Sequence, residues 1–159
     1  MRNIVLRLLI LPFIVTVASC QSFRAGGTPT ASLNFVVSEE VNPNHVSRPS
    51  PVVAKVYELA SPSGFQGQEF FALYDAPVST LRTDLLGIEE LVLEPGQQIE
   101  INMELHPATK ALGVLLAFRD IENALWRAVV EVDPTKNESH YVYVESLAVY
   151  IRESGTSSR

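Results

Sequence analysis

The chain has 159 residues and a net charge of −6 at neutral pH, and this length suits one domain with a sizeable core. An acidic chain of this kind is not expected to bind nucleic acid, because phosphate contacts need clustered lysine and arginine. The single cysteine excludes an intramolecular disulfide.

The first 20 residues are expected to be a targeting segment that is not part of the fold. Two arginines precede an apolar run too short to cross a bilayer comfortably, and the run ends in Val-Ala-Ser-Cys at 17–20. This ending resembles the bacterial lipobox, in which the cysteine thiol accepts a diacylglycerol. We therefore expect a signal peptide over 1–19, a covalent lipid on Cys20 and no other cofactor; a stray thiol after an ordinary leader is the alternative. Gln21 follows, where Asp would favour the inner membrane, so sorting to the outer membrane is expected.

A lipidated flexible tether is predicted over 20–31, because two glycines and a proline lie there among small polar residues. The first strand is predicted over 32–38, and its inward side chains are Leu33, Phe35 and Val37. The polar segment 39–50 has no hydrophobic period and contains a turn at Asn-Pro-Asn. Loops of this length in a compact domain are often functional, although an insertion that the fold merely tolerates is the alternative.

The segment 52–59 is predicted to be a core strand, because both of its faces are apolar. A strand of this kind is usually covered on both sides. The cover is expected to be a short helical insertion over about 65–86, which folds back onto the sheet. The residues with helical spacing on its aromatic face are Phe70, Leu73 and Tyr74.

A second short helix is predicted to begin at Pro77 and to end at Gly87. Its apolar stripe comprises Val78, Leu81 and Leu85. Strands follow over 88–94 and 98–105, separated by a Glu-Pro-Gly-Gln sequence that suits a type II turn. Because a short turn joins them, these two strands are predicted to form a hairpin.

Three further strands complete the predicted domain. An apolar run predicts a central strand over 112–118, alternation predicts another over 126–132, and the last, 141–151, has a predicted bulge at Glu145 and Ser146. Seven strands with short turns predict a mainly β fold, namely a two-sheet β-sandwich with a short helical insertion. The sandwich would span 32–151, and 152–159 would be a flexible tail.

No catalytic or metal-binding set of residues is predicted. His45, His106 and His140 lack metal-ligand spacing and are expected on the surface or in turns. The sequence contains no nucleophile motif and no glycine-rich loop that could hold a phosphate. The acids Glu89 and Glu90 are expected to be solvated. The sequence therefore predicts a protein that is not an enzyme.

The order of motifs along the chain resembles one family. The lipobox and tether are followed by Arg-Pro-Ser-Pro-Val-Val at 48–53, Val-Tyr-Glu-Leu at 56–59, Phe-Phe-Ala-Leu-Tyr-Asp at 70–75 and Leu-Glu-Pro-Gly at 93–96. This combination, over 17–132, is similar to the TssJ (SciN/VasD) outer-membrane lipoproteins of type VI secretion systems. The resemblance implies a transthyretin-like β-sandwich that is lipid-anchored in the cell outer membrane and faces the periplasm.

The resemblance also implies a partner, the periplasmic C-terminal region of the inner-membrane TssM subunit, which the lipoprotein would bind as a structural tether. In that family the loop between the first two strands is a main contact. The corresponding residues here are Glu39, Glu40, Val41, Asn42, Pro43, Asn44, His45 and Val46. The valines would supply apolar area, the amides and the imidazole would hydrogen-bond, and the glutamates would steer a basic partner. A lipid-anchored sandwich that binds a small ligand or glycan is the alternative, as is an envelope hydrolase, for which no residues qualify.

Overall fold

The computed structural model describes residues 29–154. The predicted signal peptide, the lipid-attachment residue Cys20, most of the tether and the end of the tail lie outside the described residues. Within 29–154, no helix is long and apolar enough to cross a membrane.

Eight strands and three short α-helices make up the described chain. The strands are β1 (Thr30–Val37), β2 (Val52–Leu59), β3 (Leu85–Leu93), β4 (Gln98–Glu104), β5 (Ala111–Ala117), β6 (Arg127–Glu131), β7 (Glu138–Val144) and β8 (Val149–Glu153). The helices are α1 (Pro62–Gly67), α2 (Phe70–Asp75) and α3 (Pro77–Leu81), and a 3-10 turn (Arg82–Asp84) follows them.

The strands form two four-stranded sheets. Sheet I has the order β4-β1-β7-β8 and sheet II the order β3-β2-β5-β6. The β1–β7 pair is parallel, whereas the other named pairs are antiparallel. The prediction of a mainly β, two-sheet sandwich with a short helical insertion is confirmed.

Alternation along the strands builds the core between the sheets. Leu33, Phe35 and Val37 of β1 are at most 5% exposed and pack against Val56 and the rest of the inner face of β2. Because successive side chains of a strand point to opposite faces, this set leaves the other side of β1 to solvent. Full burial of one such Leu, Val or Phe side chain is worth about 1.5–3 kcal/mol.

The prediction that β2 is covered on both faces is confirmed. Its inner face contacts the opposite sheet, and its outer face, with Tyr57 and Leu59, packs against Phe65 and Leu73 of the helical insertion. The Tyr57 hydroxyl donates a hydrogen bond to the Leu73 carbonyl at 2.9 Å, which fixes α2 against the sheet.

The second predicted helix is shorter than its apolar stripe suggested. α3 ends at Leu81, because Arg82 has a positive φ of 52° that a helix cannot continue. Leu85 lies in β3 rather than in a helix, and Val78 is 71% exposed rather than buried. The chain must extend here because β3 pairs along the full length of β2.

The predicted hairpin between the strands at 88–94 and 98–105 is wrong. β3 pairs with β2 in sheet II, whereas β4 pairs with β1 in sheet I. The turn itself is present, with Gly96 at φ +74° and the Gln97 amide donating to the Glu94 carbonyl at 3.1 Å. It carries the chain from one sheet to the other.

The predicted last strand is in fact two strands. β7 ends at Val144 and β8 begins at Val149, and the Glu145 amide donates to the Ala148 carbonyl at 2.8 Å across the turn between them. The blurred alternation at Glu145 and Ser146 marks a hairpin turn rather than a bulge. The sandwich therefore has eight strands instead of seven, and β8 extends to Glu153, within the predicted tail.

Candidate partner-binding site

The loop between β1 and β2, residues 38–51, meets three other connections at one end of the sandwich, which we call the distal end. The other three are the 94–97, 118–126 and 145–148 segments. Backbone hydrogen bonds join them, from Gly96 to the Ser38 carbonyl at 3.2 Å and from Asn42 to the Ser146 carbonyl at 2.9 Å. The chain enters the sandwich at Thr30, at the opposite end of β1.

Asn42 holds the distal end together. Its side chain is 2% exposed, its amide nitrogen donates to the Pro51 carbonyl at 2.7 Å, and its amide oxygen accepts from the Arg119 backbone at 2.8 Å. Its φ of 50° lies in the left-handed region, which asparagine tolerates better than most residues. One side chain thus ties the start and end of the 38–51 loop to the 118–126 segment.

Val41 is also part of the fold. Its side chain is fully buried and belongs to the core between the sheets, next to β1. The prediction that the side chains of Val41 and Asn42 contact a partner is therefore wrong, because neither is accessible. Their role is to anchor the loop from inside.

The rest of the loop is presented to solvent. Glu39, Glu40, His45 and Val46 are exposed, Val46 to 67%, whereas Pro43 and Asn44 are half-buried. The tip is an ordered turn, because the Asn44 side-chain oxygen accepts hydrogen bonds from the backbone amides of Val46 and Arg48, both at 3.0 Å. An apolar side chain is thus displayed on a structured turn.

An open groove of about 440 Å³ lies beside this turn. The residues that line it are Pro43, Asn44, His45, Arg119, Asp120 and Leu147. Three of them, Arg119, Asp120 and Leu147, were missed by sequence reasoning, since they come from segments far from the loop along the chain. The only feature of the sequence that could have indicated these groove residues is the abrupt change from the apolar β5 to Arg119 and Asp120.

The charged groups in the groove differ in how they are bonded. Both carboxylate oxygens of Asp120 accept from the Asn123 side-chain amide at 3.0 Å. The exposed Arg119 side chain makes no ion pair or hydrogen bond within 29–154, where the ion pairs are Lys55–Glu90, Lys136–Asp133 and His140–Glu138. The Arg119 guanidinium is therefore a charged group of the groove that has no protein partner within 29–154.

Two buried polar residues lie away from the distal end. His140 is 2% exposed, so its predicted surface position is wrong; its ring has no hydrogen bond among the described residues, and Glu138 lies 3.3 Å away. The buried Glu58 carboxylate accepts hydrogen bonds from the His106 backbone and the Thr109 hydroxyl. No group of three or more His, Cys, Asp or Glu side chains in 29–154 is placed to hold a metal.

The clear pKa shifts have structural causes. Burial, with a smaller contribution from the charge of Glu90, raises the pKa of Tyr57 well above its usual range. Hydrogen bonds from Lys136 and Thr135 hold the pKa of Asp133 well below its usual range. Neither Tyr57 nor Asp133 lies at the distal end.

The sequence profile of the type VI secretion lipoproteins, described by the names VasD, EvfM and TssJ, matches residues 29–147. The chain belongs to this family. The match extends from β1 through β7 and confirms the resemblance drawn from the order of motifs. A search among curated proteins finds no match.

Solved structures share the fold. The T6SS lipoprotein TssJ1 of Pseudomonas aeruginosa is 27% identical with a TM-score of 0.78, covering 82% of this chain and 99% of its own. Lip of Serratia marcescens, described as a membrane-bound component of the type VI secretion system, is 20% identical with a TM-score of 0.73, covering 78% and 97%. A structure described as the T6SS TssM C-terminal domain (869–1107) from EAEC contains a chain that is 23% identical, with a TM-score of 0.64 and coverage of 77% and 97%.

Proposed function

We propose that this lipoprotein is a structural tether of the type VI secretion membrane complex. It is anchored in the outer membrane through the lipid on Cys20, faces the periplasm, and binds the periplasmic C-terminal region of a TssM-type inner-membrane subunit with its distal end. It needs no cofactor and carries out no reaction. The observation that carries the proposal is an ordered, exposed loop tip at the end of the sandwich opposite the chain entry.

The direction of β1 supports this arrangement. The tether joins the sandwich at Thr30, and the eight residues of β1 run from there to the distal end. At about 3.3 Å per residue this is a separation of roughly 26 Å. A domain anchored behind Thr30 therefore carries the 38–51 loop at the end remote from its attachment, which suits a partner rooted in the opposite membrane.

The loop tip has the chemistry of a protein contact. Val46 supplies apolar area, His45 and Asn44 supply hydrogen-bonding groups, and Glu39 and Glu40 favour the approach of a basic surface at low salt. Asn42 and Asn44 hold the loop in place before binding, so less conformational entropy is lost when the partner docks. The family match and the chain of this fold in the TssM C-terminal-domain structure support the choice of partner.

The test removes the tip and keeps its anchors. The triple variant His45→Gly, Val46→Ser, Ser47→Gly leaves Val41 and Asn42 in place, so the fold should persist. Binding of the mature lipoprotein in detergent to the purified TssM-type periplasmic domain, measured by calorimetry, should weaken at least about tenfold, or about 1.4 kcal/mol.

The matched control is Val78→Ser, which changes an equally exposed valine on the helical insertion. It should bind like the unmodified protein. Unchanged affinity in a folded tip variant would contradict the assignment of the loop as the contact.

A glycan or small ligand is a second candidate, and one observation favours it. Tyr141, Tyr143 and Tyr150 lie on the outer face of sheet I, and Tyr141 and Tyr150 are 40% and 46% exposed. Titration of a chitin oligosaccharide into the protein and into Tyr141→Ala tests it. Binding that depends on the tyrosine would support this candidate, and the absence of binding would reject it.

A further inference from the structure

Among the described residues, two exposed apolar side chains lie on the segments of the distal end. They are Val46 at the loop tip, 67% exposed, and Leu125 on the 118–126 segment, 59% exposed. A single exposed leucine is common on protein surfaces and by itself indicates no site. Leu125 differs from that common case because its backbone is fixed and a tryptophan side chain lies beside it.

The backbone of Leu125 joins the two sheets. Its amide donates to the Leu147 carbonyl at 2.8 Å, and its carbonyl accepts from the Val149 amide at 3.0 Å. Its neighbours Ala124 and Trp126 pack against the core. Because successive side chains of an extended segment point to opposite sides, the side chain of Leu125 points outward. The fold therefore holds this leucine in solvent at a fixed point.

Trp126 is half-buried, and its ring is held on two sides. The Arg127 guanidinium lies 4.6 Å from the ring centroid, and the Phe70 ring meets the indole edge to face at 5.4 Å. The same guanidinium donates to the Phe65 and Gln68 carbonyls, at 3.2 and 2.6 Å. The indole is thus fixed before a partner arrives, so less conformational entropy is lost when a partner docks on it.

A shallow depression of about 260 Å³ is formed at these side chains. The residues that line it are Ala124, Leu125, Trp126 and Arg127. This lining is apolar apart from Arg127, whose guanidinium is stacked on the indole and bonded to two carbonyls. Its occupant is therefore selected by apolar area and not by charge. Tryptophan is also enriched among the residues that carry most of the binding energy in protein interfaces.

The depression is continuous with the loop tip. Leu147, whose carbonyl accepts from the Leu125 amide, also lines the groove beside His45, the residue that precedes Val46. Val46 and Leu125 therefore lie on either side of one groove, at the same end of the sandwich. A protein surface that covers the groove contacts both of them.

We propose that Leu125 and Trp126 form a second contact for the same protein partner and receive an apolar side chain of it. The interface then runs from Val46 across Leu147 to Leu125. This inference rests on the proposed function and specifies the chemistry of the partner surface. Continuity with the loop tip favours this occupant over a second copy of the chain.

The first experiment measures binding of the mature lipoprotein in detergent to the purified TssM-type periplasmic domain by calorimetry. Leu125→Ser should weaken binding at least about tenfold, because the docked side chain loses its apolar contact. Leu125→Met keeps the apolar volume and should bind within about twofold of the unmodified protein. The control Val78→Ser removes an exposed valine far from the distal end and should leave the affinity unchanged. The urea midpoint of Leu125→Ser should not change, since the side chain is exposed.

The single tryptophan of the chain gives a direct readout of the contact. Fluorotryptophan incorporated into the lipoprotein alone places one label at residue 126, so tryptophans of the partner domain give no signal. The fluorine NMR resonance of the unmodified lipoprotein should shift when the partner domain is added to saturation. Its difference in chemical shift between light and heavy water should also decrease, because the docked partner excludes solvent from the indole.

The outcomes separate the two proposals. Binding that is lost in the loop-tip variant but unchanged in Leu125→Ser would overturn this inference and leave the proposed function standing, as would a fluorine resonance that does not respond to the partner. A resonance that shifts with the concentration of the lipoprotein alone would assign the depression to a second copy and overturn the inference as well. If the unmodified lipoprotein does not bind the partner domain, both proposals are wrong.

Discussion

Replacement of Asn42 by alanine should destabilise the protein far more than its position in a surface loop suggests. The change removes the hydrogen bonds to the Pro51 carbonyl at 2.7 Å and from the Arg119 amide at 2.8 Å. A buried group left without a partner costs about 1–3 kcal/mol. Alanine in the left-handed conformation at φ 50° adds about 1 kcal/mol.

The expected loss in free energy of unfolding is about 2–4 kcal/mol, less than the full sum because water can reach the carbonyl of the exposed Pro51. Urea denaturation followed by fluorescence measures this loss. Hydrogen exchange of the Arg119 amide should accelerate in parallel, because its acceptor has gone. Asn42→Asp should be intermediate, since it keeps the acceptor for Arg119 but loses the donor to Pro51.

The matched control is Asn44→Ala, in the same loop. Asn44 also makes two side-chain hydrogen bonds, to the Val46 and Arg48 amides, but in an exposed turn where water can replace it. We expect a loss of about 0.5–1 kcal/mol. If Asn42→Ala costs no more than Asn44→Ala, the side chain does not clamp the distal end and the reasoning is refuted.

Three further predictions concern other parts of the molecule. Leu73→Ala should cost about 2–5 kcal/mol in urea denaturation, because the side chain is fully buried between α2 and sheet II, whereas Phe71→Ala, 64% exposed on the same helix, should cost little; similar midpoints would contradict this packing. Because the pKa of Tyr57 is raised in the folded state, the stability that its neutral hydroxyl contributes is fully present below the unfolded pKa near pH 10 and is lost as the pH rises further. Above about pH 10 the urea midpoint of the unmodified protein should therefore fall more steeply than that of Tyr57→Phe. Parallel pH dependences of the two midpoints would contradict this prediction. Cys20→Ser should abolish incorporation of labelled palmitate, and labelling that persists would exclude Cys20 as the attachment residue.

Local patterns were enough to predict most strands but not their partners. β1 and β4 were recognised because their inward side chains recur at every second residue, and β2 and β5 because they are apolar on both faces. Neither pattern specifies which strand lies next to which. A short turn with the right residues at 94–97 suggested a hairpin, yet it joins two sheets, since the strands on either side of it pair with β2 and β1 instead.

Two errors have identifiable causes in the sequence. The β7–β8 turn has the sequence Glu-Ser-Leu-Ala at 145–148, without the glycine, proline or asparagine that usually marks a hairpin. His140 alternates with Val142 and Val144, both fully buried, so its inward direction followed from the strand period. The predicted strand begins at 141, one residue after His140, so the prediction assigns this histidine to the preceding turn instead of to the inward face of the strand.

The loop at the candidate site could be located from the sequence, but its division into two parts could not. Its lack of a hydrophobic period marks it as a candidate functional segment, while the burial of Val41 and Asn42 depends on contacts with residues far along the chain, such as Arg119. Those contacts arise only once both sheets are assembled. No local pattern distinguishes a buried asparagine in a loop from an exposed one.

This division has a consequence for how the surface can change. Val41 and Asn42 hold the loop to the core, whereas His45 and Val46 project from a turn whose hydrogen bonds are made by Asn44. If the tip is the partner contact, as proposed, substitutions at His45 and Val46 should change binding with little effect on folding, and those at Val41 and Asn42 should change folding first. Because the anchors fix the tip before the partner arrives, the tip side chains can be exchanged without increasing the entropy cost of docking. A lipoprotein built in this way can follow changes in its partner at the tip while the sandwich that carries it stays constant.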